Sequence, residues 1–407
     1  MKFNQYTWNL YKQTAIGIEM IKYFSDAGGY ALFRDYCPHA NFIPADLYND
    51  WLENIYCYGV SDYDYPTSLE EAKDLYISLI TLGVRVGRQQ WLPANDFKNM
   101  LGVIQPISYV LSQFAPEYFF PYLFLCRIFE LNKIADFFNM NLPNIPKRTD
   151  YKGRCMYYWD LCEVFYLFRK ENGLSPAELW SFLYDFAPNN LPSEKIDMPK
   201  PSQVWFIGGR LYQEDKSLES KFWQSSPETK KGDILIHYET SPISAITCIE
   251  TSLTDGVIDP LFRYYGCIHI GNRMNIPHIT LKELQADEYF SKHPLIRKKF
   301  QGVNGWPMSS EDYSELLRMI EAKGFDTGTL LKLYAPTLPK NVNIVIERDV
   351  EQQLLEPLLN SMGWYENKDF IRQLPIHAGR GHRIFPDYAL HYDCLLYTSP
   401  SPRDPKT

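Results

Sequence analysis

The chain has 407 residues, 45% hydrophobic and 15% aromatic, with 30 Tyr, 24 Phe and 9 Trp, so two or three domains with large aromatic cores are expected. Its 41 basic and 49 acidic side chains give a formal net charge of −8. That balance argues against an electrostatic, sequence-indifferent nucleic-acid coat, although local basic grooves remain open at 292–299 (KHPLIRKK) and 377–383 (HAGRGHR). No run reaches the length of an uncharged membrane span, and the N-terminus lacks the apolar stretch of a signal peptide. The eight Cys show no CxxC pair and no metal-ligand spacing. Buried thiols in a cytoplasmic protein are the expectation.

Residues 1–195 read as an all-helical domain. Apolar residues recur at three- and four-residue steps in IGIEMIKYF, LEEAKDLYISLITLGVRVG, PYLFLCRIFELNKIADFFNM, YWDLCEVFYLFRKEN and SPAELWSFLYDFA. Ser175 with Pro176 and Glu178, and Ser68 with Glu71, mark helix starts. Prolines at 143, 146, 188 and 192 punctuate the region. The aromatic stripes read as core.

From Pro199 the pattern becomes β-rich. SQVWFIGG, DILIHYE, ISAITCIETS and YYGCIHIGN are short runs separated by Gly, Pro, Asp and Ser, as in a small barrel spanning 199–330. Amphipathic segments 280–287 and 309–323 close the unit, and TLPKN at 337–341 reads as a linker. A helix is then predicted over Glu347–Met362, with Val350, Leu354, Leu355, Leu358, Leu359 and Met362 on one face and Gly363 as the stop.

Trp205 in VWFIGG, Trp223 in KFW, the turn and strand KKGDILIHYE with Gly232, Asp233 and Tyr238, and the later PHITLKEL and FQGVNGWPMSSEDYSELLRMI stretches carry a resemblance. Over roughly 200–325 the chain resembles the PUA-like superfamily in its EVE and YTH-type branch. The resemblance implies a closed or nearly closed barrel that holds a base rotated out of its duplex, stacked on aromatic rings at about 1–3 kcal/mol per base. The base-binding residues it implies are Trp205, Trp223, Tyr238, Asp233 and Trp306, with Tyr264 and Tyr265 as further aromatic candidates; Trp205, Trp223 and Tyr238 are expected to meet in one concavity. Gly208 and Gly209 stand where the EVE family often has a polar pair. Hydrogen-bonding groups for a ligand must then come from elsewhere.

Glu347, Val350, Leu354, Pro357, Leu358, Leu359, Gly363 and Trp364, followed by Pro386–Asp387 in RIFPDYALHY, carry a second resemblance. Residues 342–393 resemble the first half of the N-terminal nuclease domain of type I restriction R subunits, in the PD-(D/E)xK superfamily. This implies Asp387 as a catalytic residue and Mg²⁺ ligand, with Glu347 or Glu351 completing the site, and Arg380, His382 and Arg383 as phosphate-binding residues. The (D/E)-x-K strand that the family places after the PD is not found after Asp387, so this chain is expected to be inactive even where its parent cuts DNA. Residues 394–407 (CLLYTSPSPRDPKT) resemble a translated sequencing adapter and read as a non-native tail. The expected protein is a multidomain α+β fragment of a modification-dependent restriction endonuclease that acts on DNA, with restriction-system subunits as further partners. A non-catalytic reader of modified DNA or RNA and an interaction scaffold are the alternatives.

Overall fold

The computed structural model describes residues 3–26, 28–37, 43–86, 91–191, 198–210, 220–333, 344–361, 364–377 and 383–390. The linker at 337–341, Met362, Gly363, Arg380, His382 and the tail 394–407 lie outside these residues. The chain is mixed α/β, with helices first and a curled sheet after them. No described helix is long and apolar enough to cross a membrane.

Apolar periodicity explains four of the N-terminal helices, while Gln5–Gln13, Gly29–Tyr36, Ala45–Ile55 and Ile104–Phe114 lie outside the stretches it marked. Ala15–Asp26, Leu69–Leu82, Tyr151–Asn172 and Pro176–Ser181 fall where the three- and four-residue steps place them. Ser175 and Glu178 form a reciprocal capping box. At the other predicted start, the Ser68 side chain accepts from the Glu71 N–H, while the Glu71 carboxylate turns to the backbone and hydroxyl of Thr67. A short antiparallel ribbon, β1 (Val84–Arg85) with β2 (Trp91–Leu92), follows the helix Leu69–Leu82, where the predicted helical stretch continued to Gly87. The helices share a core in which Trp8, Tyr48, Tyr76, Trp159 and Phe182 are buried.

One predicted helix is corrected. The 121–140 stretch is helical only from Ile128 to Phe138. Its first part runs non-helically through the core, because its N–H groups are claimed by tertiary partners: Tyr122 by the Ser108 hydroxyl, Leu123 by the Tyr184 hydroxyl and Cys126 by the Asp259 carboxylate. Paired in this way, buried backbone does not need an intrahelical ladder.

The β-rich part is one seven-stranded sheet built from β3 (Val204–Gly209), β4 (Ser220–Gln224), β5 (Ile234–Glu239), β6 (Ala245–Ser252), β7 (Val257–Ile258), β8 (Gly266–Thr280) and β9 (Trp306–Met308). Its order is β4-β8-β6-β5-β3-β9, with β7 on β8; β3 and β5 are parallel and the remaining pairs antiparallel. Bulges in the β5–β6 and β6–β8 ladders accompany its curl. The two faces are distinct, as strand alternation requires. Val204, Phe206, Ile234, Ile236 and Tyr238 pack under the helices Leu281–Ala286, Pro294–Arg297 and Ser310–Glu321. Trp205, Ile207, Leu235, Ile268 and Ile270 form a smaller core on the opposite face, with Trp223 packed against it. Trp205 and Trp223 stand on strands far apart in the sheet order, so curling brings them together and makes this face the concave one.

The C-terminal part comprises the helix 347–361, β10 (Phe370–Arg372), β11 (Ile376–His377), β12 (Arg383–Ile384) and β13 (Tyr388–Leu390). β10 pairs with β13 and β11 with β12, both antiparallel. Among the described residues β13 pairs with β10 alone. The helix has a π-type segment at Glu351–Leu355 and none of its described residues is fully buried.

Helices and sheet are interlocked through the Asp259–Tyr265 loop between β7 and β8. Leu261 is buried in the helical core. Asp259 accepts from the N–H groups of Cys126, Leu261 and Phe262 at 2.8, 2.9 and 3.2 Å. Arg154, fully buried, donates to the carbonyls of Pro260, Phe262 and Arg148 at 2.8, 2.6 and 2.9 Å and lies over the Tyr265 ring. The Tyr265 hydroxyl donates to the Pro146 carbonyl.

Burial pushes the Asp259 carboxyl up from its ordinary value of 3.8 to about 6. Between these values the folded chain holds a proton that the unfolded chain has released. The contribution to stability is therefore fully present below about pH 4 and lost as pH rises through about 6, on the order of 3 kcal/mol in all. Thermal melts of Asp259→Asn should show a flatter pH dependence than wild type over this window, with a lower Tm at neutral pH because an amide cannot accept all the N–H groups gathered there.

Candidate nucleic-acid interface

At one end of the curled sheet an open pocket of about 330 Å³ is walled by Phe222, Trp223, Phe262 and Tyr264, with Gly208, Gly209, Gln224 and Asn304 completing it. Phe222 meets Phe262 edge-on at 4.7 Å between centroids, and Phe262 meets Tyr264 at 5.4 Å. The two glycines are explained by close approach. A Cβ on Gly209 would stand 2.5 Å from Trp223 Cζ2, and one on Gly208 would stand 2.6 Å from Val303 Cγ1. The Trp223 indole thus leaves no room for a side chain at Gly209, and Val303 leaves none at Gly208.

Asn304 supplies the polar group that those positions do not. Its Oδ1 accepts from the Gly208 N–H at 2.8 Å and from Trp223 Nε1 at 3.1 Å, and its Nδ2 donates to Gln224 Oε1 at 3.3 Å. One amide thus clasps β3 to β4 across the curl. Its sequence signal is its place in the FQGVNGWP stretch, two residues before Trp306.

The structure divides the expected base-binding residues. Trp223 lines the pocket, and Tyr264, half exposed, joins it. Trp205 shares the concave face, but it is buried, and its Nε1 donates to Asp233 Oδ2 at 2.9 Å. Asp233 also accepts from the Ser202 hydroxyl and from the backbone of Gln203 and Lys230; it tethers the start of β3 to the KKGD turn. Tyr238 does not join Trp205 and Trp223. It lies on the helix-covered face, stacked on Phe300 at 3.8 Å, because it is an odd number of residues from the inward-facing Leu235 and His237. Trp306 packs on that same outer face under Lys298. Tyr265 faces the helical region through Pro146 and Arg154.

Beneath Trp223 lies a buried polar group. His237 meets the indole edge-on at 4.8 Å, and its Nδ1 is 2.9 Å from Glu250 Oε2. Glu250 Oε1 is 3.3 Å from Arg273 Nε, and Thr247 donates to Glu239. Burial raises the Cys248 thiol to about 11. His237, Cys248 and Glu250 are the one group of three or more His, Cys, Asp or Glu ligand atoms, among the described residues, close enough to share an ion. Arg273 already places a positive charge against Glu250, so the set reads as a charge-balanced network under the pocket floor.

Glu347, Glu351 and Asp387 line a second, open cleft of about 570 Å³ with Arg348, Arg372 and Gln373. Asp387 is exposed and immediately precedes β13; its Oδ1 accepts from Gln373 Nε2 at 2.9 Å. Arg372 is paired with Glu356 and Glu366. The three carboxylates are hard oxygen donors of the kind Mg²⁺ takes, but they are not within shared reach of one ion. As placed, they do not fit a metal centre. Arg383 is in β12, and Arg380 and His382 lie outside the described residues.

No protein-family model and no curated protein matches the chain. Among solved structures it is similar to the NMR structure of Rpa0253 from Rhodopseudomonas palustris, at 14% identity and a TM-score of 0.26, over 30% of this chain and 94% of that one. It is also similar to a hypothetical protein from Leishmania major, at 13% identity and a TM-score of 0.26, over 30% of this chain and 98% of that one.

The clasp is directly testable. Asn304→Ala leaves the Gly208 N–H and the Trp223 indole without their acceptor, and should cost about 1–3 kcal/mol in chemical denaturation. A red shift of tryptophan emission should accompany it as Trp223 gains water.

Proposed function

We propose that the curled sheet is a nucleic-acid reader that takes an unstacked base of DNA into the pocket beside Trp223. The observation that carries this reading is the pocket itself: four aromatic side chains beside two amides, Asn304 and Gln224, in a space near the small end of ligand-binding cavities. Aromatic faces accept any base by stacking, and Asn304 and Gln224 offer donors and acceptors to a base edge or its substituent. In this reading Trp223 and Tyr264 carry stacking, while Trp205 and Asp233 hold the β3 end of the sheet in shape. The expected test is binding of DNA oligonucleotides with one modified or unmodified base. Trp223→Ala should weaken binding roughly tenfold to a hundredfold and remove any preference between bases. Unchanged affinity and preference would overturn the reading.

The acidic cleft favours a second element of the same proposal, a nuclease-like C-terminal part in a restriction-type protein. Asp387 with Glu347 or Glu351 would supply Mg²⁺ ligands in an active relative, and Arg383 with Arg380 and His382 would meet the phosphate. Because the three carboxylates are not gathered around one ion here, no cleavage step is assigned to them. Plasmid incubated with this chain and Mg²⁺ should remain supercoiled. Nicking that Asp387→Ala abolishes would show that the cleft closes into a working centre.

A further inference from the structure

The Asn304 clasp decides which polar atoms the aromatic pocket offers to a ligand. The Gly208 N–H and the Trp223 indole N–H can only donate, so the amide atom that meets both, at 2.8 and 3.1 Å, is the Asn304 oxygen. Its nitrogen is thereby set toward Gln224, 3.3 Å from Oε1. An N–H facing Gln224 calls for the oxygen of that second amide, which puts the Gln224 nitrogen on the opposite side of its own group. One backbone N–H and one indole thus orient two side-chain amides in series.

An amide nitrogen carries two hydrogens and an amide oxygen two lone pairs. After the bonds above, Asn304 has one N–H left and Gln224 two, while the acceptor capacity left on the pair is one lone pair of Gln224 Oε1. The remaining side-chain polar group among the described lining residues is the Tyr264 hydroxyl, which donates or accepts as a ligand requires. No charged side chain is among those residues. The pocket is therefore rich in N–H donors and poor in acceptors. We infer that it prefers a base with an exocyclic carbonyl, thymine or guanine, to the base of the same ring size with an exocyclic amino group, cytosine or adenine. The inference rests on the reader proposal for the ligand being a base, and adds the edge by which that base is chosen. A carbonyl oxygen beside Asn304 and Gln224 accepts from their N–H groups. An amino group in the same place sets N–H against N–H and leaves donors on both partners unmatched once the ring has displaced water. Within each pair the ring systems match, so stacking on Trp223 and Tyr264 discriminates little and the amides carry the choice.

The test is fluorescence anisotropy of the full chain with short labelled duplexes whose central base faces an abasic site, so that it leaves the stack at little cost. Four duplexes differ in that base alone. Thymine should bind about tenfold tighter than cytosine, and guanine about tenfold tighter than adenine. Gln224→Glu keeps an acceptor for the Asn304 N–H and turns lone pairs alone toward the base. It should reverse both orders, whatever its added charge does to the four affinities in common. Gln224→Met removes the second amide, should lower both ratios, and serves if the carboxylate prevents folding. Wild-type ratios near one, or in the opposite order, overturn the inference; the reader proposal still stands in that case if Trp223→Ala weakens all four complexes. Ratios that survive both Gln224 variants overturn the inference as well, since the choice is then made elsewhere. Affinities and ratios that Trp223→Ala leaves unchanged overturn the reader proposal and this inference with it, as does a wild-type chain that binds none of the four duplexes.

Discussion

The buried seat of the Asp259–Tyr265 loop is the constraint on which the pocket depends. Asp259 collects three backbone N–H groups, one of them from the helical region, and Arg154 reaches out of a helix to hold three carbonyl oxygens. Burying an unpaired charge is costly, so each of these groups tolerates its position only while its partners stay in place. Together they fix the loop that carries Phe262 and Tyr264, one wall of the aromatic pocket. The opposite wall, Trp223, is fixed by the Asn304 clasp and by the absence of a side chain at Gly209. The helical region therefore has a mechanical role. It holds half of the pocket from behind.

The same logic explains why a curled sheet can present an open site without closing its ladder. A closed barrel removes both edges by backbone hydrogen bonds. Here the β3–β4 gap is crossed by side chains instead: one amide accepting from a backbone N–H and an indole. A side-chain clasp leaves room for a ligand beside it, and a continuous ladder would fill that room. Below it, the buried Glu250 carboxylate stands between His237 and Arg273 and keeps the floor polar.

The acidic cleft and a cleft of about 520 Å³ lined by Lys133, Lys200, Lys230, Lys231 and Lys368 differ in how far each is assembled. Glu347, Glu351 and Asp387 share a cleft without sharing an ion's coordination distance, and the unit around them fully buries few apolar side chains among the described residues, Phe370 and Ala389 among them. So small a core constrains carboxylate positions weakly. The lysine cleft draws on all three parts of the chain, and Lys230 ties two of them together through the buried Asp369 and the face of Trp364.

Local pattern was enough to determine the helix starts at Ser68 and Ser175, the strands on either side of the KKGD turn, and the helix from Glu347, because caps and apolar periodicity act over a few residues. It also placed Trp223 and Tyr264 among the aromatic candidates. Which face each ring takes was beyond it. Tyr238 faces the helices because strand alternation, counted from its neighbours in the folded sheet, puts it there, and Trp205 is spent on Asp233. The non-helical run before Ile128 was equally hidden, since its hydrogen-bond partners lie up to 133 residues away. Lys230 and Lys231 in the KKGD turn and Asn304 in FQGVNGWP lie in stretches the sequence marks, but nothing local assigns them these positions, and Phe262, Lys133, Lys200 and Lys368 carry no motif at all. They become a pocket wall and a charged cleft only when curling of the sheet and docking of the Asp259 loop bring distant residues together, and that closeness is decided by tertiary packing.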